Sequence, residues 1–283
     1  MSIELKNVSY IYNPDAKNPH FSVNNISLTI NPGEFAAIIG HTGSGKSTLI
    51  QFFNGLLKPT LGDVFFDGQN IFEKGYSLKT LRTKVGLVFQ YPEHQLFETD
   101  VFKDICFGPK NMGLSKEEIE ARAEKAMTLA GLDESYKDKS PFELSGGEKR
   151  RVAIAGILAM EPEYLILDEP TAGLDPQGRD EILDHVKMLN RETGMAVVLV
   201  SHSMEDVARY ADRLIVLNQA KLVFDDTTRE VFKHYLELEE MGLSAPQVTY
   251  IAHMLRERGV PVPEDLMTVQ EAKEAILKVL KKV

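Results

Sequence analysis

The chain has no tryptophan and only one cysteine, Cys106, among its 283 residues. One thiol cannot close an internal disulfide, and it offers no metal cluster of the zinc type. Cys106 is read as a packing residue in a reducing compartment. No apolar run approaches the roughly 20 residues that a membrane-spanning helix needs. Met1-Ser2-Ile3-Glu4 also lacks the basic-then-apolar order of a secretory leader, so the chain is expected to be cytoplasmic. Positive charge is scarce too: 32 Lys and Arg face 42 Asp and Glu, a net charge of −10. That balance argues against general binding to nucleic acid or to anionic lipid, which need clustered cations. If the chain works at a membrane, another protein must hold it there. No low-complexity linker or internal repeat appears, and the length suits one large domain with a smaller appendage.

Residues 3–12 alternate as Ile3, Leu5, Val8 and Tyr10 among polar neighbours, and Val23 to Ile30 behaves similarly, which predicts half-buried antiparallel strands. Next comes a buried apolar strand, Phe35-Ala36-Ala37-Ile38-Ile39. It runs into Gly40-His41-Thr42-Gly43-Ser44-Gly45-Lys46-Ser47-Thr48, after which Leu49-Ile50-Gln51-Phe52-Phe53 suits a helix. Glycines at a strand-to-helix turn let backbone N–H groups point inward at phosphate oxygens, and the helix start adds partial positive charge there. The spacing is that of a nucleoside-triphosphate cradle. Lys46 is expected to reach the β- and γ-phosphates and Ser47 to hold Mg²⁺.

Further along, Asp63–Gly68 reads as a strand and turn, and Val85–Phe89 as a buried strand. Residues 99–160 read as a helical insertion in which Ser115-Lys116-Glu117-Glu118 opens a helix by a capping box. Tyr164-Leu165-Ile166-Leu167-Asp168 and Met195–Val200 are short, nearly all-apolar strands separated by a helix, the pattern of a parallel sheet covered on both faces. The fold is therefore expected to be α/β. From residue 226 the pattern is helical and acidic. Asp168-Glu169-Pro170 ends one of these strands. Taken alone it also fits the start of a turn. Beside the phosphate loop, Asp168 is expected to orient the Mg²⁺ hydration shell and Glu169 to polarise the attacking water. Leu144-Ser145-Gly146-Gly147-Glu148 then forms a second anion nest at a helix start.

With these residues in view, the sequence resembles the ATP-binding subunit of an ATP-binding-cassette transporter, whose signature is Leu-Ser-Gly-Gly. The resemblance implies a P-loop cassette with a parallel core sheet, an N-terminal antiparallel β subdomain, a helical signature subdomain and a C-terminal helical extension. It further implies that two cassettes meet head to tail, so that Ser145, Gly146 and Gly147 cover the γ-phosphate held by the partner's phosphate loop. Residue by residue, Gln90 matches the glutamine that touches Mg²⁺ and senses the transmembrane partner. Asp175 matches the loop that speaks across the dimer, and His202 the switch histidine that donates to the γ-phosphate. Tyr12 matches the aromatic that stacks on adenine, with Tyr10 a near competitor.

The segments Phe89–Phe97 and Phe107–Leu114 are similar to the energy-coupling-factor ATPases, which drive uptake of vitamins or of cobalt or nickel ions, and lean toward the second of the two paralogous subunits. That resemblance implies a cassette over 1–225, an extension over 226–283 that helps pair two ATPases, and a place on the cytoplasmic face of the membrane. The implied partners are a second cassette, whether paralogue or self, a transmembrane coupling protein and an interchangeable substrate-binding membrane subunit. Nucleic acid is not among them. Glu148 stands where the family more often has Gln. Two other readings stay open: a binding-protein-dependent importer, and a non-transport cassette acting on nucleic acid or ribosomes.

Overall fold

A computed structural model describes residues 2–14, 17, 19–91 and 95–281. Pro92, Glu93 and His94, part of the Phe89–Phe97 segment, lie outside the described residues. The chain opens with β1 (Ile3–Tyr10) and β2 (Val23–Ile30), followed by β3 (Phe35–Ile39), α1 (Lys46–Phe53), β4 (Leu61–Phe66) and β5 (Gln69–Asn70). Then come α2 (Leu78–Lys84), β6 (Val85–Val88), α3 (Val101–Met112), α4 (Lys116–Leu129) and α5 (Gly146–Leu158). The second half holds β7 (Tyr164–Asp168), α6 (Pro176–Thr193), β8 (Ala196–Val200), α7 (Met204–Tyr210), β9 (Arg213–Asn218) and β10 (Lys221–Thr227). Four helices finish it: α8 (Thr228–Lys233), α9 (Tyr235–Glu240), α10 (Gln247–Glu257) and α11 (Val269–Leu280).

Two sheets result. Strands β2-β1-β4-β5 form an antiparallel sheet, and β10-β9-β3-β8-β7-β6 form a second sheet whose strands are parallel apart from the β9–β10 hairpin. The unbroken apolar runs of the parallel strands follow from burial on both faces. Along β3, Phe35, Ala37 and Ile39 join one core while Ala36 and Ile38 join the other. The same alternation splits β7 and β8. Arg213 ties the two sheets together, donating to Thr29 O at 2.8 Å and pairing with Glu34 and Asp225 at 3.1 and 2.6 Å.

Helices α3, α4 and α5 pack into a bundle at one side of the parallel sheet. The expected capping box opens α4, with Ser115 accepting from the Glu118 N–H and Glu118 accepting from the Ser115 N–H. The β9–β10 hairpin is an addition to the sequence reading. Its β10 runs to Thr227, across the expected 225/226 boundary, and Val231, Phe232, Leu238 and Ala245 belong to the larger core. Val248, Ala252, Val262 and Leu266 form a separate small core beyond it. Helix α10 follows Pro246, which offers no side-chain cap, and Glu205 of α7 accepts from the first helical N–H, that of Gln247, at 3.4 Å. Among the described residues, no helix is long and apolar enough to cross a membrane.

Candidate active site

The parallel sheet explains why residues far apart in sequence meet. Strands β6, β7, β8 and β3 are neighbours running the same way, so the segments leaving their carboxyl ends emerge side by side, where ligands of α/β sheets collect. Gln90 follows β6, Glu169 follows β7, His202 follows β8 and the 40–48 loop follows β3.

In that loop Gly45 caps α1 with φ 103°, and a Cβ there would lie 2.1 Å from Ser22 O. Gly40 is equally confined, since an added Cβ would fall 2.4 Å from both Leu217 O and Ser44 Oγ. The Ser44 hydroxyl is buried with no hydrogen-bond partner. Such an atom is costly unless a ligand satisfies it. Lys46 folds back along the loop, its ammonium donating to Gly40 O at 2.7 Å and His41 O at 3.1 Å. Burial holds the Lys46 ammonium below the usual lysine range, against the pull of Glu169 and Asp168. The His41 ring nitrogen Nδ1 lies 2.7 Å from Thr42 O, and Thr42 and Gly43 are exposed at the crest.

Asp168 hydrogen-bonds the Ser47 side chain, and burial raises its carboxyl above the usual range, with the like charge of Glu169 adding to the effect. Glu169 adopts φ 51°, and its N–H donates to Val200 O at 3.0 Å. That backbone turns the carboxylate between two side chains. Gln90 Nε2 donates to Glu169 Oε2 at 3.0 Å, and His202 Nε2 lies 2.9 Å from Glu169 Oε1. Ser47, Gln90 and Asp168 offer hard oxygen donors of the kind Mg²⁺ takes alongside phosphate and water.

Tyr12 is 53% exposed, and its hydroxyl lies 3.0 Å from Thr48 Oγ1 at the start of α1. Tyr10, the competitor, packs edge-on against Tyr12 and Phe52 and sits against the core instead.

The structure does not bring the signature to this cluster. Ser145 caps α5 in the helical bundle, and a Cβ on Gly147 would lie 3.2 Å from Leu174 Cδ2. Asp175 caps α6, accepting from the Gly178 N–H at 2.7 Å. Among the described residues, no hydrogen bond or ion pair joins Ser145, Gly146, Gly147 or Asp175 to residues 40–48. Sequence reasoning missed Arg150, a buried guanidinium that donates to Ala172 O and so anchors α5 to the turn after Glu169. Within the charged run Glu148-Lys149-Arg150-Arg151 nothing in the sequence sets Arg150 apart from its neighbours.

A groove of about 500 Å³ lies between the α3–α5 bundle and the strand β6, lined by Arg82, Leu87, Leu96, Phe97, Phe107 and Met160 among others. Within its lining Phe97 and Phe107 pack edge-to-face, 4.8 Å between ring centres, and Tyr91 is exposed nearby in sequence.

The family described as ABC transporter matches residues 23–172. The chain is 55% identical over 282 residues to the energy-coupling factor transporter ATP-binding protein EcfA2 of Clostridium perfringens (strain 13 / Type A), covering 99% of each chain. It is 56% identical to the protein of the same name from Caldanaerobacter subterraneus subsp. tengcongensis, covering 99% of this chain and 98% of that one. The chain belongs to the energy-coupling-factor ATP-binding cassettes. Among solved structures, cbiO1 from Clostridium perfringens, described as part of the ABC transporter complex cbiONQ, superposes with a TM-score of 0.74 at 38% identity, covering 90% of this chain and 98% of that one. The dimeric post-hydrolysis state of the cassette MJ0796, bound to ADP and Pi, gives 0.73 at 32% identity over 80% of this chain and 99% of the other. As an energy-coupling-factor ATPase, the chain binds ATP and couples its hydrolysis to transport.

Proposed function

We propose that the residues gathered at the strand ends hydrolyse ATP at sites shared between two cassettes, and that closing of the pair on ATP is the step that moves cargo. The observation that carries this reading is the Glu169 carboxylate held between Gln90 and His202 beside the Lys46 loop. A general base needs an ionised carboxylate aimed at the water that attacks the γ-phosphate, and Glu169 is held by close contacts on both of its oxygens. His202, beside Glu169, would donate to the γ-phosphate. Lys46 leaves its two carbonyls for the β- and γ-phosphates, Ser44 gains a partner, and the N–H groups of residues 40–48 close around the anion. Tyr12 lies open for adenine. Ser47, Gln90 and Asp168 would hold Mg²⁺, which neutralises charge developing on the phosphates.

The signature completes the site of the other cassette. Ser145, Gly146 and Gly147 make a second nest that belongs to no phosphate of this chain, and Asp175 lies next to Leu174, which touches that nest. The likeness to a cassette dimer holding ADP and Pi supports this arrangement. The division into a cassette over 1–225, with 99–160 as signature subdomain, and an extension over 226–283 keeps its functional sense, although β10 and helices α8 and α9 pack with the cassette core across that boundary. Ile251, Met254, Leu277 and Leu280 are exposed on α10 and α11 and suit pairing with a second cassette, paralogue or self. The groove beside Phe97 and Phe107 suits a short helix of a transmembrane coupling protein, which would hold the chain at the cytoplasmic face. Cargo, a vitamin or a cobalt or nickel ion, is then selected by a separate membrane subunit.

Cysteines placed by Thr42→Cys and Ser145→Cys after Cys106→Ala test the shared site. An ATP-dependent cross-link between chains is expected. A cross-link formed only within one chain overturns the reading.

A further inference from the structure

The signature turn carries a carboxylate of its own. Glu148 occupies the third position of α5 and bends back to the helix start, where Oε2 accepts from the Ser145 N–H at 2.7 Å. Ser145 Oγ accepts in return from the Glu148 N–H at 3.3 Å. From the turn Glu134–Tyr136, the Tyr136 hydroxyl donates to Glu148 Oε1 at 2.8 Å. Both groups that donate to this carboxylate, the Ser145 N–H and the Tyr136 hydroxyl, are neutral, and among the described residues no ion pair discharges it. Lys139, whose ammonium lies 3.8 Å over the Tyr136 ring, attracts Glu148 more weakly than these hydrogen bonds do.

We propose that Glu148, held in place by Tyr136, opposes closure of the cassette pair and thereby sets the ATP concentration at which the pair closes. The inference rests on the shared-site reading above. Under that reading the partner's γ-phosphate arrives at Ser145, Gly146 and Gly147, where a negative charge is already fixed one helical turn away. Two like charges converging in an interface that sheds water repel strongly, because the effective dielectric there is far below that of bulk water. An ordinary carboxylate would relieve the conflict by taking up a proton. Glu148 resists this, since hydrogen bonds from Ser145 and Tyr136 pull its pKa down to about 2. The same carboxylate keeps the helix start in order, so the device holds Ser145 ready while weakening its hold on the incoming phosphate. An amide at this position keeps an acceptor for the Ser145 N–H and removes the charge.

The test uses the membrane complex carrying Glu169→Gln to arrest turnover, with retention of labelled ATP as the measure of closure. Adding Glu148→Gln is expected to lower the ATP concentration for half-retention roughly tenfold at low salt, and by less as salt screens the repulsion. An unchanged or higher concentration overturns the proposal. Tyr136→Phe is expected to shift half-retention the same way when position 148 is Glu and to have no effect when it is Gln. Equal effects in both backgrounds would reduce Tyr136 to a structural residue and refute its part. Ser145→Arg serves as the control for the underlying reading. If retention survives it, the shared site itself is wrong. If Ser145→Arg abolishes retention while Glu148→Gln changes nothing, only this proposal fails.

Discussion

Gln90 and Glu169 are 79 residues apart in sequence, yet the carboxamide of one donates to the carboxylate of the other at 3.0 Å. The bond joins the end of β6, which borders the groove, to the group proposed as general base. A movement at the groove therefore has a direct mechanical route to the carboxylate that orients water.

Replacing that carboxylate by an amide keeps its size and a hydrogen-bonding group but loses the base. Glu169→Gln is expected to leave ATP binding intact and to cut kcat by roughly 10²-fold or more. Steady-state turnover with parallel equilibrium binding checks this. An unchanged kcat would show that another group activates the water.

Lys46→Ala removes the ammonium that now rests on Gly40 O and His41 O. The backbone nest alone does not offset the charge of the β- and γ-phosphates, so affinity for labelled ATP should fall roughly 10²-fold or more, taking hydrolysis with it. Near-native affinity in the variant would contradict the assignment of this loop.

At the groove, Phe97→Asp places a charge on an exposed aromatic that sits edge-on to Phe107. Transport by the complex is expected to fall several-fold while ATP hydrolysis by the isolated subunit persists, because a docking surface is separable from the strand-end cluster. Parallel assays of both activities decide it. Equal loss of both, or of neither, rules out the docking role.

Asp206 on α7 is 6% exposed, its Oδ2 lacks a hydrogen-bond partner, and Arg179 Nε lies 3.9 Å away. Burial outweighs the attraction of Arg179 and raises the carboxyl above its ordinary 3.8. Between the unfolded and the raised folded value the native state holds more protons than the unfolded chain, so stability falls as pH rises through that window, and the penalty is complete above it. Asp206→Asn should therefore raise Tm at about pH 8, by roughly 2–4 °C for each kcal/mol relieved, and the gain should vanish toward about pH 4. Thermal melts at the two pH values test the sign. A lower Tm at the higher pH would mean that the attraction of Arg179 prevails.

The strands of the parallel sheet and the phosphate loop were legible because short apolar runs ending in glycine or carboxylate have few other uses. Asp168-Glu169 stood out once the loop was in place. What the sequence did not disclose was the register that brings strand ends together. The Gln90–Glu169–His202 contact exists because β6, β7 and β8 are adjacent, and adjacency is a property of the whole sheet. The hairpin of β9 and β10 is not marked by a turn motif of its own, although Leu214-Ile215-Val216-Leu217 is as apolar as the other parallel strands. Glu148 was visible as a departure from the commoner Gln, but its clamp by Tyr136 depends on a turn twelve residues upstream.

The capping of α10 by Glu205 has a practical meaning for anyone who shortens this chain. Cutting after Thr227 removes more than an appendage. It strips Val231, Phe232, Leu238 and Ala245 from the core that also holds Val207 and Met204, the first turns after His202. A truncated protein that loses hydrolysis would thus be reporting disturbed packing of α7 behind His202 as much as a missing partner contact, and point substitutions on the exposed faces of α10 and α11 are the cleaner way to separate the two.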